Sequence, residues 1–191
     1  MKKFILPIGL FWLFFLLGCG TKTPATTCNE TGSNACTLTT WTVSDIHDVA
    51  QQTLLALKNN DMSGLAQLMS SQGVRFSPNG NVNVQTNQVL TNNDLTNPWI
   101  LNRWSYDGSW EPILLPINAY FQKFVYDVDF MNAPEKYENQ KFDRWTIINN
   151  AFDVYTGKQL FEYYFSGFDA QYEGMDRKSL ILVFDQENNE R

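Results

Sequence analysis

The stretch Ser179-Leu-Ile-Leu-Val-Phe184 is apolar at every position after its serine, and it decides the fold that the sequence predicts. Alternate residues of a β-strand face opposite sides of a sheet, so both sides of this strand need to be buried. The stretch therefore predicts a strand covered on both faces and paired on both edges. Residues 187–191 are polar and typical of a turn. Either a further strand follows them, or residues 179–184 form an unusually apolar edge that favours association.

Alternating apolar residues predict two more strands just before this stretch. Residues 159–166 form one, with Phe161, Tyr163 and Phe165 on a single face, and residues 145–155 form the other. We expect neighbouring strands joined by short turns to pair antiparallel.

Two earlier segments also alternate with a period of two. Residues 74–84 predict a strand or hairpin with one polar face, because apolar and polar residues alternate on both sides of a turn at Pro78-Asn79-Gly80. Residues 126–130 predict a strand that places Asp127 and Asp129 on the same face.

Helical spacing of apolar residues dominates the first half of the chain. It predicts a helix over residues 45–58 with Ser44 as its N-cap, and a second over 62–69. A third helix begins at Pro116 and carries a bulky aromatic face, while residues 91–94 are typical of the start of a short helix.

Helices followed by mostly antiparallel strands indicate an α+β fold in which a curved sheet wraps around the N-terminal helices. This order of elements over Val43–Phe184 resembles the nuclear transport factor 2-like superfamily, also called the cystatin-like cone. The resemblance implies a cone whose open end holds a ligand or, in enzymes, an Asp or His base with a Tyr donor.

Three short segments resemble a family of uncharacterised bacterial lipoproteins with this fold. They are residues 73–78, residues 167–176 and the pair Ser179-Leu180. Members of that family end in one further strand with a histidine near its close. The resemblance therefore implies that the domain over residues 41–191 lacks a final strand.

The N-terminus is typical of a secretory signal peptide. Lys2 and Lys3 precede an apolar run of about 14 residues from Phe4 to Leu17, which is shorter than the roughly 20 residues of a membrane-spanning helix. Leu16-Leu17-Gly18-Cys19 resembles the lipobox of bacterial lipoproteins. The resemblance implies cleavage between Gly18 and Cys19, with a diacylglycerol on the cysteine. A plain signal peptide that happens to carry a cysteine is the alternative.

The lipobox divides the chain into three parts. Residues 1–18 are the signal peptide, residues 19–40 are the lipidated cysteine and a flexible Thr-, Gly- and Asn-rich tether, and the folded domain begins near Trp41. Two or three acyl chains anchor a protein stably where one does not. We expect a lipid-anchored protein in the cell membrane or outer membrane, facing the periplasm or the exterior.

The cysteine count leaves one pair after lipidation. Cys28 and Cys36 are an even remainder in an exported chain, which favours a disulfide over two free thiols. A zinc site is not expected, because His47 is the single histidine and four ligands are wanting. His47 itself lies at the polar margin of the first helix, where a hydrogen-bonded or solvated side chain is the ordinary outcome.

The charge balance excludes some partners. The chain has 14 Lys and Arg against 20 Asp and Glu, and loss of Lys2 and Lys3 leaves 12 against 20, a formal charge of −8. An acidic surface argues against nucleic acid and against adhesion to anionic lipid headgroups. Aromatic residues make up 15% of the chain and supply area for a core or a binding cavity.

Residues that could carry chemistry are few, and the expected cofactor is none. No nucleophile elbow, phosphate loop or metal-binding spacing occurs. The resemblance to the cone superfamily implies that an enzyme would use a buried carboxyl group whose pKa is raised by burial. The alternative is that the aspartates are solvated and the tyrosines belong to the core. The candidate catalytic residues are Asp127, Asp129, Asp153, Tyr126, Tyr163 and Tyr164.

The loop before the last strand is acidic and aromatic. Asp169, Glu173 and Asp176 lie within eight residues, but their spacing is not that of a calcium-binding EF-hand, and an acidic surface loop is the simpler interpretation. Phe168 and Tyr172 could gate a ligand cavity.

Two hypotheses about function follow. The first is a non-catalytic, membrane-tethered domain that binds a small apolar ligand or a protein partner, with Tyr126, Tyr163, Tyr164, Phe168 and Tyr172 as candidate ligand-binding residues. The second is an isomerase-, dehydratase- or hydrolase-like enzyme that uses a buried Asp and Tyr.

Overall fold

The computed structural model describes only part of the chain. It covers residues 12–18, 43–77, 81–97, 104–105, 111–141 and 149–185, and in 12–18 and 43–45 it describes the backbone alone. Cys19, Cys28 and Cys36 lie outside the described residues, so the lipidation site and the disulfide stay predictions.

Five α-helices and eight β-strands occur in the described residues. The helices are α1 (Val43–Lys58), α2 (Met62–Leu68), α3 (Asn92–Thr96), α4 (Ile117–Tyr120) and α5 (Ala151–Val154). The strands are β1 (Trp12–Gly18), β2 (Val74–Arg75), β3 (Val89–Leu90), β4 (Trp104–Ser105), β5 (Pro112–Ile113), β6 (Glu135–Glu138), β7 (Gln159–Phe165) and β8 (Lys178–Asp185).

The largest sheet has the strand order β1-β8-β7-β6. β7 is antiparallel to both β6 and β8, whereas β1 is parallel to β8, with Trp12 opposite Ser179 and Gly18 opposite Asp185. Two small antiparallel sheets pair β2 with β3 and β4 with β5. The chain is therefore an α+β protein, as its order of elements predicts.

β8 is covered on both faces and paired on both edges, which confirms the prediction from its composition. Leu180, Leu182 and Phe184 belong to the main hydrophobic core, while Ile181 and Val183 belong to a smaller cluster on the opposite face. Each of these side chains is at most 1% exposed. The strand on its outer edge is β1, which the sequence assigns to the signal peptide.

The first two helices form as their spacing predicts and pack on the main core. α1 contributes Ala50, Leu54 and Leu57, each nearly fully buried. Helix α2 is capped by Asp61, whose side chain accepts a hydrogen bond of 2.8 Å from the Gly64 backbone N–H. The predicted apolar residues of α2 are all buried, namely Met62, Leu65, Ala66 and the following Met69.

Helix starts agree with the sequence in one case and differ in another. Thr91 begins α3 with a capping box, in which Asp94 accepts a 2.7 Å hydrogen bond from the Thr91 backbone N–H. Ser44 is not the N-cap of α1, because the helix already includes Val43. Helix ends shift by a residue or two without altering the buried face.

The third predicted helix is α4, which continues as a π turn over Phe121–Val125. A 2.8 Å hydrogen bond from the Tyr126 backbone N–H to the Phe121 carbonyl closes this wider turn. Its aromatic face is buried as predicted, with Tyr120 stacked on Trp104 at a ring-centroid distance of 4.2 Å.

Of the two alternatives for residues 74–84, the hairpin is wrong, although Val74–Arg75 form a strand. β2 pairs with Val89–Leu90 instead, and Val84 is exposed in a turn. The Asn83 side chain accepts hydrogen bonds from two following backbone N–H groups, and the Asn87 backbone N–H donates to the Asn83 carbonyl. These asparagine-centred turns replace the second strand and move the return strand further along the chain.

Two other strand predictions are wrong in the residues that the structure describes. Residues 126–130 lead from the π turn into a 3₁₀ turn at Phe130–Asn132, so Asp127 and Asp129 do not share a strand face. In the predicted strand over 145–155, residues 151–154 form helix α5, and residues 142–148 lie outside the described ranges. Short segments with mixed periodicity are decided by tertiary contacts rather than by pattern.

We expect Leu180→Ala to destabilise the fold by about 2–5 kcal/mol, because it leaves a cavity beside a side chain that is 0% exposed. Leu114→Ala is the matched control, because Leu114 is 63% exposed and its loss should change the free energy of unfolding by about 0.5 kcal/mol or less. Urea unfolding measures both. Equal effects of the two substitutions would contradict the burial of β8.

Candidate functional site

A cavity of about 420 Å³ lies between helix α1 and strands β6 and β7. Its lining combines apolar side chains with a few groups that can form hydrogen bonds or carry charge. The lining residues on α1 are His47, Ala50, Gln51 and Leu54, and those on the other elements are Met131, Lys136, Tyr137, Glu138, Phe161, Glu162 and Tyr163.

Helical and strand periodicity place the lining residues. The four residues from α1 follow the i, i+3, i+4, i+7 spacing of a single helix face. On the sheet, Lys136 lies opposite Tyr163, and Glu138 lies opposite Phe161. Directly opposed residues share a face, so these four side chains project to the side that α1 covers.

His47 and Glu138 meet across the cavity. The His47 Nε2 atom is 3.6 Å from Glu138 Oε2, and each side chain is about half exposed, at 51% and 43%. The His47 ring also packs edge-on against Phe161, at a centroid distance of 5.1 Å. This pair places an imidazole and a carboxylate where a bound molecule can reach both.

Tyr163 is a buried polar residue of the cavity lining, at 7% exposure. Burial, together with the negative charge of Glu138, raises the pKa of its hydroxyl to about 12. The hydroxyl is therefore protonated at neutral pH. Within the described part of the chain it has no hydrogen-bond partner, so it is available as a donor to a ligand.

Lys136 is held at the edge of the same face. Its Nζ atom donates a 2.7 Å hydrogen bond to the Met131 carbonyl and lies 6.0 Å from the centroid of the Tyr163 ring. That distance is at the limit of a cation–π contact. The lysine thus has N–H groups left over for a ligand.

Tyr126 supports the cavity wall without lining it. Its hydroxyl donates a 2.8 Å hydrogen bond to Asp129 Oδ1 and accepts one of 2.9 Å from the Met131 backbone N–H. Burial raises its pKa above the ordinary value, and so does its bond to Asp129, while the bond from Met131 acts in the opposite direction. The tyrosine thereby fixes the turn that brings Met131 to the cavity.

The other candidate ligand-binding residues are spread over the molecule. Tyr163 lines the cavity, whereas Tyr164 faces the opposite side of β7. Phe168 is 54% exposed and stacks on Phe165 at 5.2 Å, and Tyr172 ends a 3₁₀ turn in the same loop. Among the five candidates, the structure brings Tyr163 alone to the cavity.

The three candidate aspartates form ion pairs outside the cavity. Asp127 pairs with Lys178, Asp129 with Lys58 at 2.8 Å, and Asp153 with Lys141 at 2.9 Å. None of the aspartates is among the lining residues. Each of these carboxylates therefore lies beside a lysine ammonium group outside the cavity.

Asp176 organises the acidic loop. Its Oδ2 atom accepts hydrogen bonds from the backbone N–H groups of Phe168 and Asp169, at 2.9 and 2.8 Å. Desolvation acts to raise the pKa of Asp176, but these backbone bonds outweigh it and lower the pKa. This carboxylate is therefore committed to shaping the loop.

Lys136, Glu138 and Met131 are site residues that sequence reasoning missed. The segment Glu135-Lys-Tyr-Glu138 is short and charged, so it carried no strand signal. Its pairing with β7 is what brings it to the cavity. The sequence favours a hydrogen-bonded or solvated side chain for His47. Its spacing from Ala50 and Leu54 on one helix face is the signal that points to the cavity.

Neither a metal centre nor a spanning helix emerges from the described residues. They contain no group of three or more His, Cys, Asp or Glu side chains that could hold a metal ion. In the same residues, no helix is both long and apolar enough to cross a membrane.

Comparison with known proteins yields no relatives. No protein-family model matches this sequence, and no curated protein or solved structure matches it.

We expect Asp129→Asn to destabilise the fold in a pH-dependent way. The hydrogen bonds from Lys58 and then Tyr126 lower the pKa of Asp129 from 3.8 to about 2. A lowered pKa means that the charged group stabilises the folded state above about pH 4, and that this contribution is lost as the pH falls towards 2. The difference in the free energy of unfolding between Asp129→Asn and the parent should therefore be largest near neutral pH and should disappear as the pH approaches 2.

Unfolding measured by urea at several pH values tests this expectation. Asp153→Asn is the matched control, because that side chain is 67% exposed and pairs with a single lysine. A difference in the free energy of unfolding between Asp129→Asn and the parent that persists unchanged down to pH 2 would contradict the stabilising role of the bonds from Lys58 and Tyr126 to Asp129.

Proposed function

We propose that the chain is an exported, lipid-anchored protein whose α+β domain binds a small apolar or amphipathic ligand without catalysis. The observation that carries the binding proposal is the cavity between α1 and the β6–β7 edge of the sheet. Its volume of about 420 Å³ lies within the roughly 300–1,000 Å³ of ordinary ligand pockets.

The lining indicates a ligand with both apolar and polar parts. Leu54, Met131 and Phe161 supply apolar contacts. The Tyr163 hydroxyl, protonated at neutral pH, suits a ligand acceptor such as a hydroxyl or carbonyl oxygen. The Glu138 carboxylate suits a ligand donor. Few polar groups on an apolar wall are the usual way in which a pocket fixes the orientation of its ligand.

The lipid anchor is proposed from Leu16-Leu17-Gly18-Cys19, which resembles a lipobox. Cleavage before Cys19 would remove every residue of β1, since that strand ends at Gly18. The structure contains the uncleaved chain, so the pairing of β1 with β8 belongs to the precursor. The cavity lies at the opposite end of the sheet, beside β6 and β7.

We further propose that the domain is a nuclear transport factor 2-like cone. Support comes from two helices that precede an antiparallel arrangement of β6, β7 and β8, and from a cavity that lies between helix α1 and that sheet. The order of elements is the main support for this assignment.

An enzyme that uses a buried Asp and Tyr is the weaker alternative. Asp127, Asp129 and Asp153 are ion-paired and do not line the cavity. Such chemistry needs a carboxyl group inside the apolar cavity, where a bound substrate could reach it.

Gln51→Trp should block the cavity, because Gln51 is an exposed residue of α1 on the cavity lining. We expect at least about tenfold weaker binding of the neutral fluorescent probe N-phenyl-1-naphthylamine, a loss of roughly 1.4 kcal/mol. A fluorescence titration of the purified protein measures the dissociation constant.

Gln52→Trp is the matched control, since Gln52 is exposed on the same helix but does not line the cavity. It should bind the probe as the parent does. If the parent and both variants bound the probe equally, or if the parent did not bind it, the proposal that this cavity binds a ligand would be contradicted.

Cys19→Ser tests the anchor separately from the cavity. In a bacterial host that processes lipoproteins, the parent should lose residues 1–18 and gain acyl chains, whereas the variant should keep the signal peptide and stay unlipidated. Intact mass spectrometry and incorporation of labelled palmitate are the two measurements. A parent protein that keeps residues 1–18 would refute the lipoprotein proposal and leave ligand binding untouched.

A further inference from the structure

The outer edge of β8 is occupied in the full chain by β1. Seven residues of β1 pair with seven of β8, from Trp12 opposite Ser179 to Gly18 opposite Asp185. Cleavage after Gly18, which belongs to the proposed function, removes all seven. Among the residues that the structure describes after position 18, no other strand then pairs with the backbone N–H and C=O groups of this edge.

This edge differs from the opposite edge of the sheet. The other end strand is β6, which has four residues, three of them charged, as is usual for a protected edge. β8 has eight residues, and its central six, Ser179 to Phe184, are buried. A long strand that is apolar on both faces is a template for another strand.

A strand that fits this edge needs apolar side chains on both faces. Among the strands described after residue 18, β8 itself combines that composition with a free edge. β7 is already paired on both sides and carries the buried Glu162. The strand most complementary to the exposed edge is therefore a second copy of β8.

We propose that removal of residues 1–18 lets two copies of the processed chain join through β8, antiparallel, into one continuous sheet. A two-fold axis perpendicular to the sheet relates the copies, which is the symmetry of most protein dimers. A rotation about this axis carries each face of one sheet onto the same face of the other. Each residue of β8 must therefore lie opposite a residue whose side chain is on the same face of the combined sheet.

The same-face condition and the polar ends of β8 select a register. With Leu182 on the axis, Leu180 lies opposite Phe184 of the second copy, and Ile181 lies opposite Val183. Ser179 then lies opposite Asp185, so that polar groups meet at both ends of the paired region. Moving the axis to Ile181 would set Ser179 against Val183 and Lys178 against Phe184, which matches polar with apolar residues.

In this arrangement β1 controls assembly. The precursor fills the edge from within its own chain, and processing exposes it. Dimerisation is thereby limited to the protein that has lost residues 1–18.

The test uses the full-length gene with Leu16→Ala, Gly18→Ala and Cys19→Ala. These substitutions create an Ala-Leu-Ala signal-peptidase site and remove the lipidated cysteine, so the host secretes a processed, lipid-free protein. Intact mass verifies loss of residues 1–18. Because cleavage here does not need the lipobox, the result is independent of whether the parent chain is lipidated.

We expect light scattering after size-exclusion chromatography to give a dimer that dissociates on dilution. Adding Ser179→Cys and Asp185→Cys together should give an intermolecular disulfide between residues 179 and 185, identified by peptide mass spectrometry. Each cysteine substitution alone is the matched control and should not give that bridge. A monomer at all concentrations, or a dimer without the bridge, overturns the proposal.

Hydrogen exchange on the protein without the added cysteines gives a second measurement. In the dimer all backbone amides of residues 179–185 should be protected, and alternate amides should exchange faster when the protein is diluted. Protection that is already complete in a monomer would show that another segment of the same chain covers the edge, and would overturn the proposal.

Discussion

The strand β8 has to be buried on both faces, and the rest of the fold follows from that constraint. Leu180, Leu182 and Phe184 require one apolar layer, which α1, α2 and the aromatic α4 supply. Ile181 and Val183 require a second layer, supplied by a small cluster that includes Val82 and residues of α5. A strand buried on both faces also hides its backbone groups from water, so both of its edges need hydrogen-bonded partners.

The cavity arises where this burial ends. Helix α1 contributes Ala50 and Leu54 both to the core and to the cavity, while His47 and Gln51 on the same face reach its polar side. On the sheet, β6 has charged residues instead of the aliphatic ones of β8. Helix α1 therefore covers an apolar core at one end of the sheet and a cavity at the other. The cavity has both polar and apolar lining residues, as binding pockets do.

The segment Trp12–Gly18 combines two properties that depend on the same composition. An uninterrupted apolar run suits the core of a signal peptide, and it equally suits a strand beside another apolar strand. Its backbone lies parallel to β8 in the full chain. Removal of this segment, as proposed, would leave the β8 edge without that strand.

The sequence by itself determined the α+β class, helices α1 to α3, strands β7 and β8 and the two-sided burial of β8, because each has a strong periodicity or cap of its own. It failed over residues 82–84, 126–130 and 151–154, where local hydrogen bonds and contacts outweigh weak alternation. Of the cavity, it named Tyr163 alone as a ligand residue. Lys136 and Glu138 reach the site through the register of β6 with β7, and strand register depends on contacts between residues distant in sequence, which only the tertiary structure decides.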